Sequence, residues 1–282
     1  MDASGPNAEQ IEYWNKQAGP KWVAESDQMD RMLGPIGAAA IERAAPRAGE
    51  RVIDVGCGNG QTSLQLAARV GPQGSVLGVD ISVPMLERAQ ARAACEKLPQ
   101  LRFENADAQT HAFAPGGADL VFSRFGVMFF ADPVAAFANL ARALRPGGRL
   151  AFVCWQSLAE NPWMRDPLGA LAKHVPLPPP AAPDAPGPFA FADAARVRGI
   201  LEHADFRQVA FEPRTGAMSL GASVDEAVHV ASEIGPVGAI LREAPAAARS
   251  GALTAIRELL AARATPEGVA LPYATWIASG VR

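Results

Sequence analysis

The sequence predicts an α/β fold, a mostly parallel sheet with helices on both faces, and three observations carry that reading. From Arg51 onward, short runs rich in Val, Ile and Leu alternate with alanine-rich amphipathic segments, the mark of successive βαβ units. A turn with three glycines, Gly56-Cys57-Gly58-Asn59-Gly60, stands where the first strand of this alternation meets its first helix. The 282 residues suffice for one large domain with insertions or for two small ones, and 49% hydrophobic content supplies a full core.

The elements follow in order. "PNAEQIEYWNKQAGPKWV" reads as a helix ending near Gly19-Pro20, since glycine followed by proline stops a helix. A second helix is predicted from about Met32 to Ala45. The strands "RVIDV", "SVLGVDI" and "LRFENAD" then alternate with the helices "QTSLQLAARV" and "VPMLERAQARAACEK". "ADLVFSRF", the helix "DPVAAFANLARAL", the turn "RPGGR" and the strand "LAFVCW" complete five strands in series. The prolines of "PLPPPAAPDAPGP" forbid helix or central strand there and predict an extended loop. The helix "ADAARVRGILEHA" and the strand "FRQVAFEP" resume the pattern, alanine-rich helices follow from Ala217 to Ala264, and "YATWIASGVR" closes as a last strand.

Composition excludes several function classes. Twenty-six basic residues are scattered among 29 acidic ones, a charge of -3, so no stripe for tracking phosphates is present and no nucleic-acid partner is expected. "MDASGPNAEQ" lacks the basic start and apolar stretch of a signal peptide, and no apolar run reaches the roughly 20 residues of a membrane span, so a cytoplasmic location is expected. Cys57, Cys95 and Cys154 lie far apart without a CxxC pair, which argues against disulfides and zinc and predicts small core residues. No metal is implied.

The glycine turn lets a ligand approach backbone N–H groups because no side chain intervenes. Its spacing departs from the dinucleotide fingerprint GxGxxG, since Gln61 occupies the place of the third glycine. A Walker A loop is excluded because no Gly-Lys-Ser/Thr follows. Asp80, at the end of "VLGVD", is placed to accept from both hydroxyls of a ribose, and Asp107, in "ENADAQ", to accept from the exocyclic amine of an adenine. Asp54 brings negative charge to a loop otherwise suited to pyrophosphate and favours a ligand with a cationic end. S-adenosylmethionine combines that cationic end with ribose and adenine.

"VIDVGCGNG", "GVD", "NADA" and "LARALRPGGRL", in this order, resemble the successive motifs of class I S-adenosylmethionine-dependent methyltransferases, in the branch holding the ubiquinone/menaquinone-biosynthesis enzymes and the type 11 methyltransferases. The resemblance covers about Arg51 to Trp155, roughly a third of the chain. It implies a Rossmann-like sheet of seven strands, the last antiparallel and inserted beside the sixth, with "FRQVAFEP" and "YATWIASGVR" as those two strands. By it, residues 1–46 form an N-terminal helical lid on a methyltransferase domain at 47–282, with substrate-cap insertions at about 156–191 and 217–265. The methionyl part of the cofactor falls to Asp54, Gly56 and Gly58, and Gly60 opens the helix. Asp80 takes the ribose, Ile81 and Met85 flank the adenine, and Asp107 with the backbone of Ala108 reads its edge. Ser123, Arg124 and Phe125 lie near the methyl group, and the "YWN...W" helix supplies Tyr13, Trp14 and Trp22 as lid residues.

No general base stands out. His111 follows the adenine loop too closely, His203 sits at a helix C-terminus, and His174 and His229 are weak candidates in the inserted regions. In "FGVMFF", Phe129 and Phe130 are expected in the core, with Phe125 and Met128 nearer the pocket. The expected activity is in-line methyl transfer to a small, largely apolar acceptor, ring-bearing, quinone-like or lipid-like. A nicotinamide-dependent oxidoreductase and a cofactor-binding protein without catalysis are the alternatives.

Overall fold

The computed structural model describes residues 4–179, 181–182 and 184–282. Pro180 and Pro183 of the proline-rich loop, and the first three residues of the N-terminal segment, lie outside them. The parallel strands are β1 (Arg51–Val55), β2 (Ser75–Asp80), β3 (Leu101–Asn105), β4 (Ala118–Arg124) and β5 (Leu144–Trp155). They are joined by β6 (Arg207–Gly221), the two-residue β7 (Ala264–Thr265) and β8 (Gly268–Val281). The sheet order is β3-β2-β1-β4-β5-β8-β6, with β8 antiparallel to both its neighbours and β7 paired to its start. The Rossmann-like methyltransferase sheet is therefore present, with β8 inserted beside β6 as the last long strand.

Helices before the sheet are α1 (Ala8–Lys16), α2 (Ala18–Ala24) and α3 (Ser26–Ala44). Gly19-Pro20 stops nothing. Both residues lie in the first turn of α2, where proline's missing N–H is not needed. A side chain at Gly19 would stand 2.0 Å from the Trp14 carbonyl oxygen, so the glycine allows the close approach of α1 and α2. The second predicted helix begins six residues early, at Ser26, and keeps Pro35 inside it.

Between strands run α4 (Gln61–Val70), α5 (Val83–Glu96), α6 (Pro133–Ala143), α7 (Pro162–Leu171) and α8 (Ala194–His203). On β5, Arg149 donates to the carbonyls of Ala44 and Ala45 at the end of α3, whereas Phe152 meets Phe137 of α6. Positions three apart on a strand face opposite sides, so α3 and α6 cover opposite faces of the sheet. Phe137, Phe152, Phe191 and Phe206 form an aromatic cluster beneath α6 and α8.

"RPGGR" bulges out of β5 rather than ending an element: Ala118 faces Leu144 and Leu120 faces Arg149, so residues 145–148 are looped out of the register. β6 and β8 run well past the predicted segments, and β6 beyond Arg214 pairs only with the first half of β8. This two-stranded extension rises beyond the end of β5 and carries α9 (Val224–Glu233), α10 (Gly235–Glu243) and α11 (Ala246–Ala261). Cys57 and Cys154 are buried as expected, but Cys95 is exposed on α5. No helix among the described residues is long and apolar enough to cross a membrane.

Candidate functional site

The chain leaves β1 toward β2 and leaves β4 toward β5, and the switch in strand order opens a crevice at their carboxyl ends, the usual ligand position in open α/β sheets. A cleft of about 180 Å³ lies there, lined mainly by apolar side chains. The glycine turn forms its floor. Gly56, Gly58 and Gly60 all have positive φ, 65°, 54° and 83°. A Cβ on Gly56 would lie 2.7 Å from the Cα of Gly126, and one on Gly58 2.8 Å from the Met85 methyl, so space as well as backbone conformation demands glycine.

Asp80 faces the turn from the end of β2. Its Oδ2 accepts from the Gly58 N–H at 2.7 Å and its Oδ1 from the Ser82 N–H at 2.8 Å. A carboxylate has about four acceptor positions, so these bonds leave it acceptor capacity for a ligand. Burial raises its pKa, opposed by the N–H groups of Ser82, Gly58 and Ile81. The Ser82 hydroxyl does not cap α5 and instead donates to the Trp14 carbonyl. The cap comes from α1: Asn15 Oδ1 accepts from the Val83 N–H, and its amide donates to the Ile81 carbonyl.

Asp107 is deeply committed. Asn7 donates to both its carboxylate oxygens at 3.0 and 2.9 Å, the Gln109 N–H adds a bond to Oδ1, and the Thr110 hydroxyl reaches Oδ2. Asn7 Oδ1 in turn accepts from the Ala131 N–H. This buried network pins the start of α1 across the loops after β3 and β4. Three neighbouring groups thus already donate to this carboxylate.

Aromatic rings close the cleft at two places. Trp14 packs edge-on against Trp22 and Phe129 at one end, and Phe125 stacks on Trp155, itself against Trp163, at the other. Phe125 adopts φ 60°, an unusual conformation for a bulky residue, immediately after β4. Phe130 is buried in the core as expected and Phe129 packs against that core, and both also border the cleft together with Phe125 and Met128.

Of the residues singled out in the sequence, Trp14, Trp22, Gly56, Gly58, Asp80, Ile81, Met85, Asp107, Ala108, Arg124 and Phe125 line this cleft. Tyr13, Asp54 and Ser123 do not. Tyr13 contacts Trp14 from beside it. Ser123 is buried, donating to the Val55 carbonyl and accepting from the Gly126 N–H, and so ties the ends of β1 and β4 together. Asp54 is fully buried, with Oδ2 accepting from the Thr62 and Ser63 hydroxyls at 2.7 and 2.6 Å. Its Oδ1 has no partner among the described residues, and burial pushes its pKa up to about 6.

The histidines stand apart from the cleft. His229 is exposed and pairs with Glu25, His174 is exposed where α11 passes Gly251 beside it, and His111 packs edge-on against Phe113. Asn7, Asn15 and Asn59 were not singled out from the sequence. Asn59 donates to the Trp22 carbonyl, fastening α2 over the glycine turn. An asparagine before a helix is too common a cap signal to reveal a partner 100 residues away.

Residues 52–148 match the family described as a methyltransferase domain. This segment, about a third of the chain, is similar to a methyltransferase domain. Aklanonic acid methyltransferase DauC of Streptomyces sp. (strain C5) is 36% identical to this chain over 143 residues, 49% of this chain and 65% of that protein. Nocamycin O-methyltransferase of Saccharothrix syringae is 34% identical over 185 residues, 60% of this chain and 65% of that one. The chain thus spans just under two thirds of the length of these relatives. Among solved structures, the YcgJ protein of Bacillus subtilis superposes with a TM-score of 0.58 at 17% identity, over 87% of this chain and 97% of that one, and shares the methyltransferase domain's fold.

Proposed function

We propose that this chain transfers a methyl group from S-adenosylmethionine to a small, largely apolar acceptor bearing a ring, a quinone precursor or a lipid-like body. The observation that carries the reading is Asp80, buried with acceptor capacity to spare, beside Gly56 and Gly58 in a cleft with mainly apolar walls. The names of the two methyltransferase relatives, one for aklanonic acid and one for nocamycin, support a small-molecule acceptor.

The residues present fit that cofactor. Asp80 is suited to ribose hydroxyls, Ile81 and Met85 to the faces of an adenine, and the bare backbone of Gly56 and Gly58 to the methionyl end. Asn59 Oδ1, buried without a partner among the described residues, offers a further acceptor on the same turn. Asp107 acts by holding Asn7 and Gln109, which shape the loop bearing Ala108. Asp54, Ser123 and Tyr13 support the site from behind. The cofactor, when bound, supplies a methyl group made electrophilic by its sulfonium.

What the chain contributes is position and the exclusion of water. Holding an acceptor nucleophile about 3 to 3.5 Å from the methyl carbon, in line with the departing sulfur, supplies much of the acceleration. Among the residues lining the cleft none is a histidine, which assigns the walls to orientation. Residues 1–46 and the insertions at about 156–191 and 217–265 act as covers: Trp14 and Trp22 from the first, Trp163, Met164 and Pro188 from the second, and Ile234 and Gly235 from the third border the cleft.

Thermal unfolding with S-adenosylhomocysteine or NAD tests the donor. At about 100 times its Kd, S-adenosylhomocysteine is expected to add roughly 2.7 kcal/mol. Stabilisation by NAD alone would instead establish the oxidoreductase. Labelled-methyl transfer into a metabolite extract separates an enzyme from a binding protein.

A further inference from the structure

Arg124 ends β4 and lines the cleft, whose walls also include Met29, Met32 and Leu33 of α3 and the stacked pair Phe125 and Trp155. A guanidinium carries five N–H donors. Only one acceptor meets them among the described residues, Gln61 Oε1 on Nη1. Arg124 belongs to no ion pair there: Asp30, whose charge it feels, is taken by Arg92 at 2.6 Å. Its stem is fixed, because α3 passes so close that a Cβ on Gly37 would lie 3.0 Å from Arg124 Cδ. Gln61 is held too, by its donation to the Asp30 carbonyl.

A cation so placed, against apolar walls and with most donors unused, is costly until an anion joins it. Its flat fork matches a carboxylate in two-point contact. Asp30 and Asp54 already act on this guanidinium through their charges, which disfavours a doubly charged phosphate and favours a monoanion. We propose, resting on the methyltransferase reading, that Arg124 seats a carboxylate of a ligand in the cleft. That group belongs either to the methionyl end of the donor or to the methyl acceptor. In the second case the acceptor is an aromatic or aliphatic acid whose body lies along Trp155 and Trp163.

Two matched probe pairs distinguish the owners, titrated into the wild type, Arg124→Met and Arg124→Lys. The first pair is S-adenosylhomocysteine and its decarboxylated analogue; the second, added to protein saturated with S-adenosylhomocysteine, is 2-naphthoate and 2-naphthamide. If the donor owns the carboxylate, Arg124→Met loses on the order of 10- to 100-fold in affinity for S-adenosylhomocysteine and almost none for the decarboxylated analogue. If the acceptor owns it, S-adenosylhomocysteine binds unchanged, while the wild-type preference for naphthoate over naphthamide disappears in Arg124→Met. Arg124→Lys, which keeps the charge without the fork, falls between in either case. Unchanged S-adenosylhomocysteine affinity in both variants, with no preference of the wild type for naphthoate, overturns the proposal. Failure of the wild type to bind S-adenosylhomocysteine overturns the methyltransferase reading itself.

Discussion

Asp54 and Asp80 stand near the same glycine turn, at the ends of neighbouring strands, and take different roles. Asp54 is enclosed behind the turn, where the hydroxyls of Thr62 and Ser63 tie β1 to the first turn of α4. Its pKa, raised by burial from 3.8 to about 6, means that the folded chain still holds a proton which the unfolded chain has released. Stability is therefore lost as pH rises across that window, and the cost persists above it, up to roughly 3 kcal/mol. Asp54→Asn is expected to remove this slope, and urea unfolding at pH 4 and pH 7 measures it; parallel pH profiles for both proteins would refute the assignment. Asp80→Ala should weaken S-adenosylhomocysteine binding by about 1 to 3 kcal/mol in calorimetry, since it deletes the ribose acceptor and unpairs the Gly58 N–H. Unchanged affinity would place the ribose elsewhere. Gly56, Gly58 and Asp80 were legible in the sequence because their signal is local, a missing Cβ and an acid at a strand end. The enclosure of Asp54 was not, because it depends on which helix packs behind it.

Among the elements, α1 carries the most that spacing did not reveal. It was expected as a lid because of its aromatic residues, yet its polar residues hold it in place. Asn7 pins its start to Asp107, and Asn15 near its end caps α5. Asn7→Ala leaves the buried Asp107 carboxylate without its amide donor and should cost about 1 to 3 kcal/mol. Denaturant unfolding reads that loss, and limited proteolysis should show earlier cleavage near residue 7. Equal stability and equal cleavage would mean that α1 is held by its aromatic contacts alone. The extension of β6 and β8 was also missed, because edge segments such as "RTGAMSLG" alternate weakly and their pairing partner lies some 50 residues on.

The whole molecule places a rigid parallel sheet beneath covers drawn from three separate stretches of chain. Trp14 and Trp22 come from before the sheet, Trp163 from after β5, and Ile234 from the helices carried on the β6–β8 extension, and all border one cleft. Such covers belong to the low-stability end of a fold and close on ligand. Hydrogen exchange should therefore slow more in α1, α2, α9 and α10 than in β1 to β5 when S-adenosylhomocysteine is added. Slowing spread evenly over the chain would remove the case for a lid. By itself the sequence determined the βαβ alternation, the glycine turn, the acid at the end of β2 and the family resemblance, because periodicity, missing side chains and short motifs act within a few residues. Only the tertiary structure decided that Asp54 and Ser123 stand behind the cleft, that Asn7 bonds Asp107, and that Arg124 faces the cleft with donors to spare. Those outcomes depend on contacts between segments far apart in the chain, and burial, which sets the strength of every charge and hydrogen bond at the site, exists only once those segments have packed.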